Sequence, residues 1–264
     1  NAYERTFNRI NKGQNTFVHK RKDGKPRFTE PTTEAAEFSM PLFPKEGQIP
    51  IIQVLHAVQE KCHFIDALQH FSTKNNRQKP DNSVFFAGIL AYGCNIGVGA
   101  MARNAPNISA SSLENTVNWY FSLENVRKAN DMVISMMSKL KVGELFRKDP
   151  SVIHTSSDGQ KFYVQVDSVH ASSSFKYFGK EKGIVTLTFI DDMHRLFHSL
   201  TIMASEREAL YVFEGLMQND VVQSDMHSTD THGTNGINFA LLYLAKIRFI
   251  PRIEDFQNQN FYIF

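Results

Sequence analysis

Only two cysteines, Cys62 and Cys94, occur in 264 residues, and neither sits in a C-x-x-C arrangement. They read as two free, buried thiols of a reducing compartment, which points to the cytoplasm. No run approaches the ~18 consecutive apolar residues of a membrane span. Residues 1–17 are polar and basic, unlike a secretory leader. No internal repeat or low-complexity tract is present. There is no initial Met, and the chain stops in the apolar run Phe261-Tyr262-Ile263-Phe264. It is therefore expected to be a piece of a longer polypeptide. A strong charge of either sign is missing too, since the net is only +2.

That small net hides an asymmetry. Residues 1–150 carry 20 Lys and Arg against 14 Asp and Glu, whereas residues 151–264 carry 9 against 13. The densest basic run is Lys20, Arg21, Lys22, Lys25 and Arg27, around Asp23-Gly24. Such a run either attracts a polyanion by neutralising phosphates or is a solvated basic hairpin turn.

With 42% apolar residues, 22 of them Phe, the chain has material for a core. Residues 1–48 read as a basic hairpin and a linker through Pro31, Pro41 and Pro44. From residue 49 to 145 the period is helical: Ile51, Leu55, Val58, Cys62, Ile65 and Leu68 recur at three and four. Asp81 and Ser83 open a second helix, Ser111 with Glu114 suggests a capping box, and Val126, Ala129, Val133, Met136 and Leu140 form a further stripe. After Gly143 the period changes. Strands are expected at 162–166, 183–190, 198–203, 227–229 and 248–253, with helices at 209–216, opened by Ser205 and Glu208, and at 236–247. That order predicts a mixed α/β domain with a sheet between helices.

Two acidic positions stand out. Asp158 lies in Ser156-Ser157-Asp158-Gly159, and Asp230 in Thr229-Asp230-Thr231-His232-Gly233. Both are expected where a strand meets a Gly-containing turn, a place where loops display functional groups. Two carboxylates converging from separate strands could hold a hard divalent cation such as Mg2+. An Asp before Gly is, equally, an ordinary turn residue. His227 and His232 flank Asp230 and either reach a DNA phosphate or metal-bound water or are structural. Gly93, Gly97 and Gly99 lack the Lys of a phosphate loop. His56, His63 and His70 recur every seven residues, too far apart to share an ion. Asp191-Asp192 reads as a hairpin turn.

The surrounding segments resemble the Tn-three family of replicative transposases. The matching residues are His154-Thr155-Ser156-Ser157-Asp158-Gly159-Gln160-Lys161-Phe162, Lys176-Tyr177-Phe178-Gly179, Ser205-Glu206-Arg207-Glu208-Ala209, Thr229-Asp230-Thr231-His232-Gly233 and Arg248-Phe249-Ile250-Pro251-Arg252-Ile253. Upstream, Tyr92-Gly93-Cys94-Asn95-Ile96-Gly97 and Asn118-Trp119-Tyr120 add to it. The resemblance implies an N-terminal all-helical region followed by an incomplete RNase H-like DDE catalytic domain. The expected division is 1–48, 49–145 and 146–264. It implies Asp158 and Asp230 as the first two catalytic, metal-binding carboxylates, with a third, a Glu, on a helix beyond the chain; Glu254 and Asp255 come too early to replace it. It further implies Mg2+ (or Mn2+) as cofactor, DNA as partner (terminal inverted repeats and target), a homodimer, and a bacterial cytoplasmic setting without a membrane. The alternative is a non-catalytic DNA-binding or dimerisation remnant.

Overall fold

A computed structural model of the chain describes residues 2–24, 26–28, 49–72, 78–147, 149–165, 168–252 and 254. Contacts divide the chain into two units, one made of residues 1–47 with 253–264 and the other of residues 48–252.

In the first unit, α1 (Ala2–Asn11) is followed by the expected hairpin. Strand β1 (Val18–Lys20) pairs antiparallel with β2 (Pro26–Phe28), His19 opposite Arg27. The Asn15 side chain accepts from the backbone N–H groups of Phe17 and Val18, starting β1. Gly24 turns the chain at φ 82°, a value that favours glycine.

The second unit begins with helices. These are α2 (Ile51–Cys62), α3 (Asn82–Gly93), α4 (Val98–Asn104), α5 (Ala110–Tyr120), α6 (Leu123–Met137) and α7 (Lys141–Glu144). Helix α3 is apolar nearly all round and buries Phe85 and Phe86. They pack with Phe64, Ile65, Leu68, Tyr120 and Ala129 into one core. Helix α5 is capped by Ser109, whose hydroxyl accepts from Ser112 N–H at 3.1 Å. The expected Ser111–Glu114 box does not form, because the helix starts two residues earlier than that box requires and Ser111 falls within its first turn. Ser122 caps α6 in the same way, accepting from Asn125 N–H. Helix α6 serves two cores: Ala129 joins the helical one, and Ile134 joins the core under the sheet. Among the described residues no helix is long and apolar enough to cross a membrane.

The sheet follows. Its elements are β3 (His154–Tyr163), β4 (Ser172–Ser173), β5 (Lys182–Asp191), β6 (Leu196–Met203), β7 (Met226–Thr229) and β8 (Arg248–Phe249), with helices α8 (Phe175–Phe178), α9 (Val212–Met217) and α10 (Gly236–Leu244). The spatial order is β6-β5-β3-β7-β8, with β4 extending the start of β5. Neighbours β6-β5 and β5-β3 are antiparallel, whereas β3-β7 and β7-β8 are parallel. Along β5 every second residue is buried (Val185, Leu187, Phe189), as a strand with one core face requires. Leu187 and Phe189 pack with Phe197, Val212, Leu216 and Leu242.

Several boundaries differ from expectation, among them a β6 that starts at Leu196 and an α10 that ends at Leu244. Strand β3 begins at His154, eight residues before the expected start, because the backbone of its Ser- and Thr-rich first half is paired by ladders on both sides, to β5 and β7. Helix α9 starts at Val212 after a 3-10 turn, and Ser205 and Glu208 do not cap it; the Ser205 hydroxyl meets Ser172 and the Glu208 carboxylate meets Lys161. Strand β8 has two residues, although Ile250 and Arg252 N–H still donate to the His227 and Thr229 carbonyls. Val166 and Ile253, expected in strands, lie outside the described residues.

Candidate active site

Asp158 stands in the middle of the long β3, opposite Thr188 of β5, and not at a strand end. Asp230 follows the last residue of β7 and opens a 3-10 turn. The two strands are adjacent and parallel, with Ser157 in register with Thr229. Asp158 and Asp230 therefore each follow one member of the same pair, on strands ~4.8 Å apart. The faces can be read from hydrogen bonds. Thr155 and Ser157 both reach His227 on one face, while His154 reaches Ser228 on the other. By that alternation Asp158 belongs to the His154–Ser228 face, and Asp230, two residues beyond Ser228, continues it.

Each carboxylate is anchored by one oxygen. Asp158 Oδ1 accepts from the N–H of Gly159 at 2.9 Å. Asp230 Oδ1 accepts from His232 N–H at 3.0 Å and Gly233 N–H at 3.2 Å. The second oxygen of each has no protein partner among the described residues. Two open oxygen donors side by side suit a hard cation such as Mg2+, which takes one or two carboxylates together with water or substrate phosphate oxygens. Among the described residues no group of three His, Cys, Asp or Glu side chains gathers for a metal.

His227 has no exposed surface, and it lies on the face opposite that of Asp158. Thr155 Oγ1 is 2.8 Å from its Nδ1 and Ser157 Oγ 3.0 Å from its Nε2. Its ring stacks on Phe249. Burial, helped by His154, pushes its pKa down to about 3, so the ring is neutral. A buried, doubly hydrogen-bonded imidazole cannot reach DNA phosphate or metal-bound water. It ties together the two strands that carry the carboxylates. His232, in contrast, is exposed beside Asp230. Sequence reasoning missed this bridge; the signal was the alternation of Thr155 and Ser157 opposite a polar strand.

The other candidates fall elsewhere. Asp191 is structural: its carboxylate accepts from Met193 and Arg195 N–H and pairs with the Arg195 guanidinium. Asp192 lies 3.7 Å from Arg147. His56 packs on Phe86, His63 ends α2, and His70 stacks on Trp119. Cys62 and Cys94 are free, but they are half-buried and exposed rather than buried. Arg21, Lys22 and Arg27 are exposed on the hairpin of the first unit. Lys25 and the Lys20 side chain lie outside the described residues, as does Asp255.

Residues 53–264 match the family model described as Tn3 transposase DDE domain. The chain is 27% identical over 233 residues to the transposase for transposon Tn1546 of Enterococcus faecium, covering 87% of this chain and 23% of that protein. It is 29% identical over 220 residues to the transposase for transposon Tn2501 of Escherichia coli, covering 82% and 22%. With the transposase for transposon Tn4556 of Streptomyces fradiae it shares 27% over 244 residues, 90% and 27% of the two chains. The chain thus spans about a quarter of the length of these relatives. A solved piggyBac transposase synaptic complex with hairpin DNA is similar at a TM-score of 0.38 and 10% identity, over 79% of this chain and 49% of that one.

Proposed function

This chain belongs to the family of Tn3 transposase DDE domains, and on that premise we propose that it carries two of the three carboxylates of a DNA transposase, Asp158 and Asp230. The observation that carries the reading is the parallel register of Ser157 with Thr229, which sets the two Asp side by side. The sheet order supports an RNase H-like fold: β3 lies centrally, with an antiparallel meander through β5 and β6 on one side and parallel β7 and β8 on the other. We assign residues 1–48 to a basic linker and hairpin, 49–145 to a helical domain and 146–264 to the catalytic domain.

The free oxygens of Asp158 and Asp230 would hold Mg2+, with Mn2+ as substitute. A bound divalent ion supplies charge stabilisation at the attacking and leaving oxygens of an in-line displacement. The strands fix the spacing of the carboxylates, and the backbone N–H groups of Gly159, His232 and Gly233 fix their rotation. Such positioning supplies most of the catalysis in phosphoryl transfer. In the whole protein the reaction is hydrolysis of a phosphodiester at each transposon end, where water adds to phosphorus and the 3′-oxygen leaves. That 3′-hydroxyl then attacks a phosphodiester of target DNA, forming a new phosphorus–oxygen bond as the 3′-oxygen of the target strand leaves. The partners are the terminal inverted repeats, target DNA and a second copy of the protein, in a bacterial cytoplasm. Residues 1–264 alone are expected not to cut DNA, because Asp158 and Asp230 are two carboxylates of a site that needs three. The second reading, a DNA-binding remnant without chemistry, keeps the scaffold and loses only the reaction.

The test uses the full-length parent. Asp158→Asn and Asp230→Asn should each abolish end cleavage and strand transfer while DNA binding survives. Transposition at the wild-type rate by either variant would overturn the assignment.

A further inference from the structure

Two of the segments on which the family resemblance rests have no role in the site described above: Lys176-Tyr177, and Glu206-Arg207-Glu208. They meet in one open cavity of about 480 Å3, whose wall also includes Lys161 near the end of β3 and His232 two residues after Asp230. The size falls within the ~300–1,000 Å3 typical of ligand sites.

The charges in this cavity are unequally matched. Lys161 Nζ lies 3.3 Å from Glu208 and 4.3 Å from the centre of the Tyr177 ring. Glu206 accepts from the Tyr211 hydroxyl. Lys176 Nζ lies 4.9 Å from the centre of the same Tyr177 ring, and has no carboxylate partner among the described residues. Among those residues Arg207 has none either. Both are exposed. The lining thus holds three cations, Lys161, Lys176 and Arg207, against two carboxylates, Glu206 and Glu208, and Lys176 and Arg207 face a hollow that also offers the Thr231 hydroxyl. A concave site of this kind favours a phosphate oxygen group, since guanidinium and ammonium donors bind it with charge-assisted hydrogen bonds. Thr231 and His232 belong to the turn that Asp230 opens, so this hollow adjoins Asp230.

We propose that the cavity takes a phosphodiester group of the bound DNA, close to the one being cut, with Lys176 and Arg207 as its ligands. This rests on the transposase reading, and deepens it by naming a substrate contact apart from the carboxylates. Lys161 is a positioning residue here: its pairing with Glu208 and its place over Tyr177 hold the wall in shape.

The experiment is fluorescence anisotropy of the chain with short duplex DNA over a range of salt concentrations. The variant is Lys176→Ala with Arg207→Ala, and its thermal unfolding is measured alongside. Both residues are exposed, so the fold should be unchanged. The expected result is about tenfold weaker binding, and a slope of log K against log salt reduced by roughly 0.9 for each lost contact. A duplex with a neutral methylphosphonate backbone should bind wild type and variant equally. Calorimetry with inorganic phosphate forms a second arm. Affinity and slope equal to wild type in a folded variant would overturn the proposal and leave the transposase reading standing. The proposal falls in the same way if the variant loses inorganic phosphate binding but keeps its DNA affinity, which would make the hollow a free-anion site. A wild-type chain with no affinity for DNA would overturn the DNA role of the chain, and this contact with it.

Discussion

Glu208 lies against Gly159, its carboxylate filling the space that a β-carbon on residue 159 would need. The carboxylate is the far end of a flexible side chain, so it can swing away, but it then leaves Lys161. Gly159→Ala should lower stability by ~1–3 kcal/mol, as overpacking does, and towards the lower end. In a Glu208→Ala background the same change should be neutral or mildly stabilising, because glycine is a poor strand residue. Denaturant midpoints of the four proteins measure the coupling. Equal costs in both backgrounds would mean that the two residues do not compete for space.

The neutral His227 makes stability depend on acid. Its pKa is about 3 in the fold, below the ordinary value near 6.5. Below pH 6.5 the unfolded chain therefore takes a proton that the folded chain refuses. The stabilisation is complete above pH 6.5 and is lost as pH falls towards 3, by up to ~1.4 kcal/mol per unit. His227→Gln should remove this part of the acid slope while lowering stability at neutral pH. Identical slopes between pH 6.5 and 4 in the two proteins would show that the ring titrates freely.

The Asp191–Arg195 pair closes the β5–β6 hairpin, with Asp191 only 3% exposed. Removing one partner leaves a buried charge, so Asp191→Ala should cost about 3–5 kcal/mol. Asp191→Leu with Arg195→Met should recover part of that loss. Equilibrium unfolding of each variant gives the values, and a single-variant cost below ~1 kcal/mol would place the pair among ordinary surface bridges.

Replacing Lys20, Arg21, Lys22, Lys25 and Arg27 by Ala together should weaken DNA binding. The slope of log K against log salt should fall by ~0.9 for each phosphate contact removed. Titrations at several salt concentrations measure it. An unchanged slope would assign the hairpin to solvent.

Period and turn chemistry made much of this fold legible. The β-branched, Thr-rich run from Ile184 to Ile190 marked β5, and the three-four spacing through Ile51, Leu55 and Val58 marked α2. Strand β3 was hidden for a physical reason. Its buried positions, Thr155 and Ser157, are polar, and they are buried because His227 satisfies their hydroxyls. Neither half of that arrangement has a pattern by itself. His227 read as a possible site neighbour because nothing local says which face of a four-residue strand is covered. Cap choice between Ser109 and Ser111 turned on a two-residue shift of the helix start. Asp158 and Asp230 were singled out by motif, and only strand pairing reveals that they are neighbours in space. Lys161, Lys176 and Arg207 come from three elements whose meeting depends on how α8 and the turn after β6 pack.

The bridge from β3 to β7 also predicts an order of assembly. Strands β3, β5 and β6 form a meander whose pairings close over modest stretches of chain, and such contacts form early. Thr155 and His227 are 72 residues apart in sequence, and their strands run parallel, so this pairing pays a larger loop-closure entropy. Asp158 and Asp230 have the same separation. A nascent or partly folded chain can hold the meander with a single carboxylate, and the pair exists only once β7 has docked. By that argument Asp158 and Asp230 are expected to meet late, when the sheet is nearly finished.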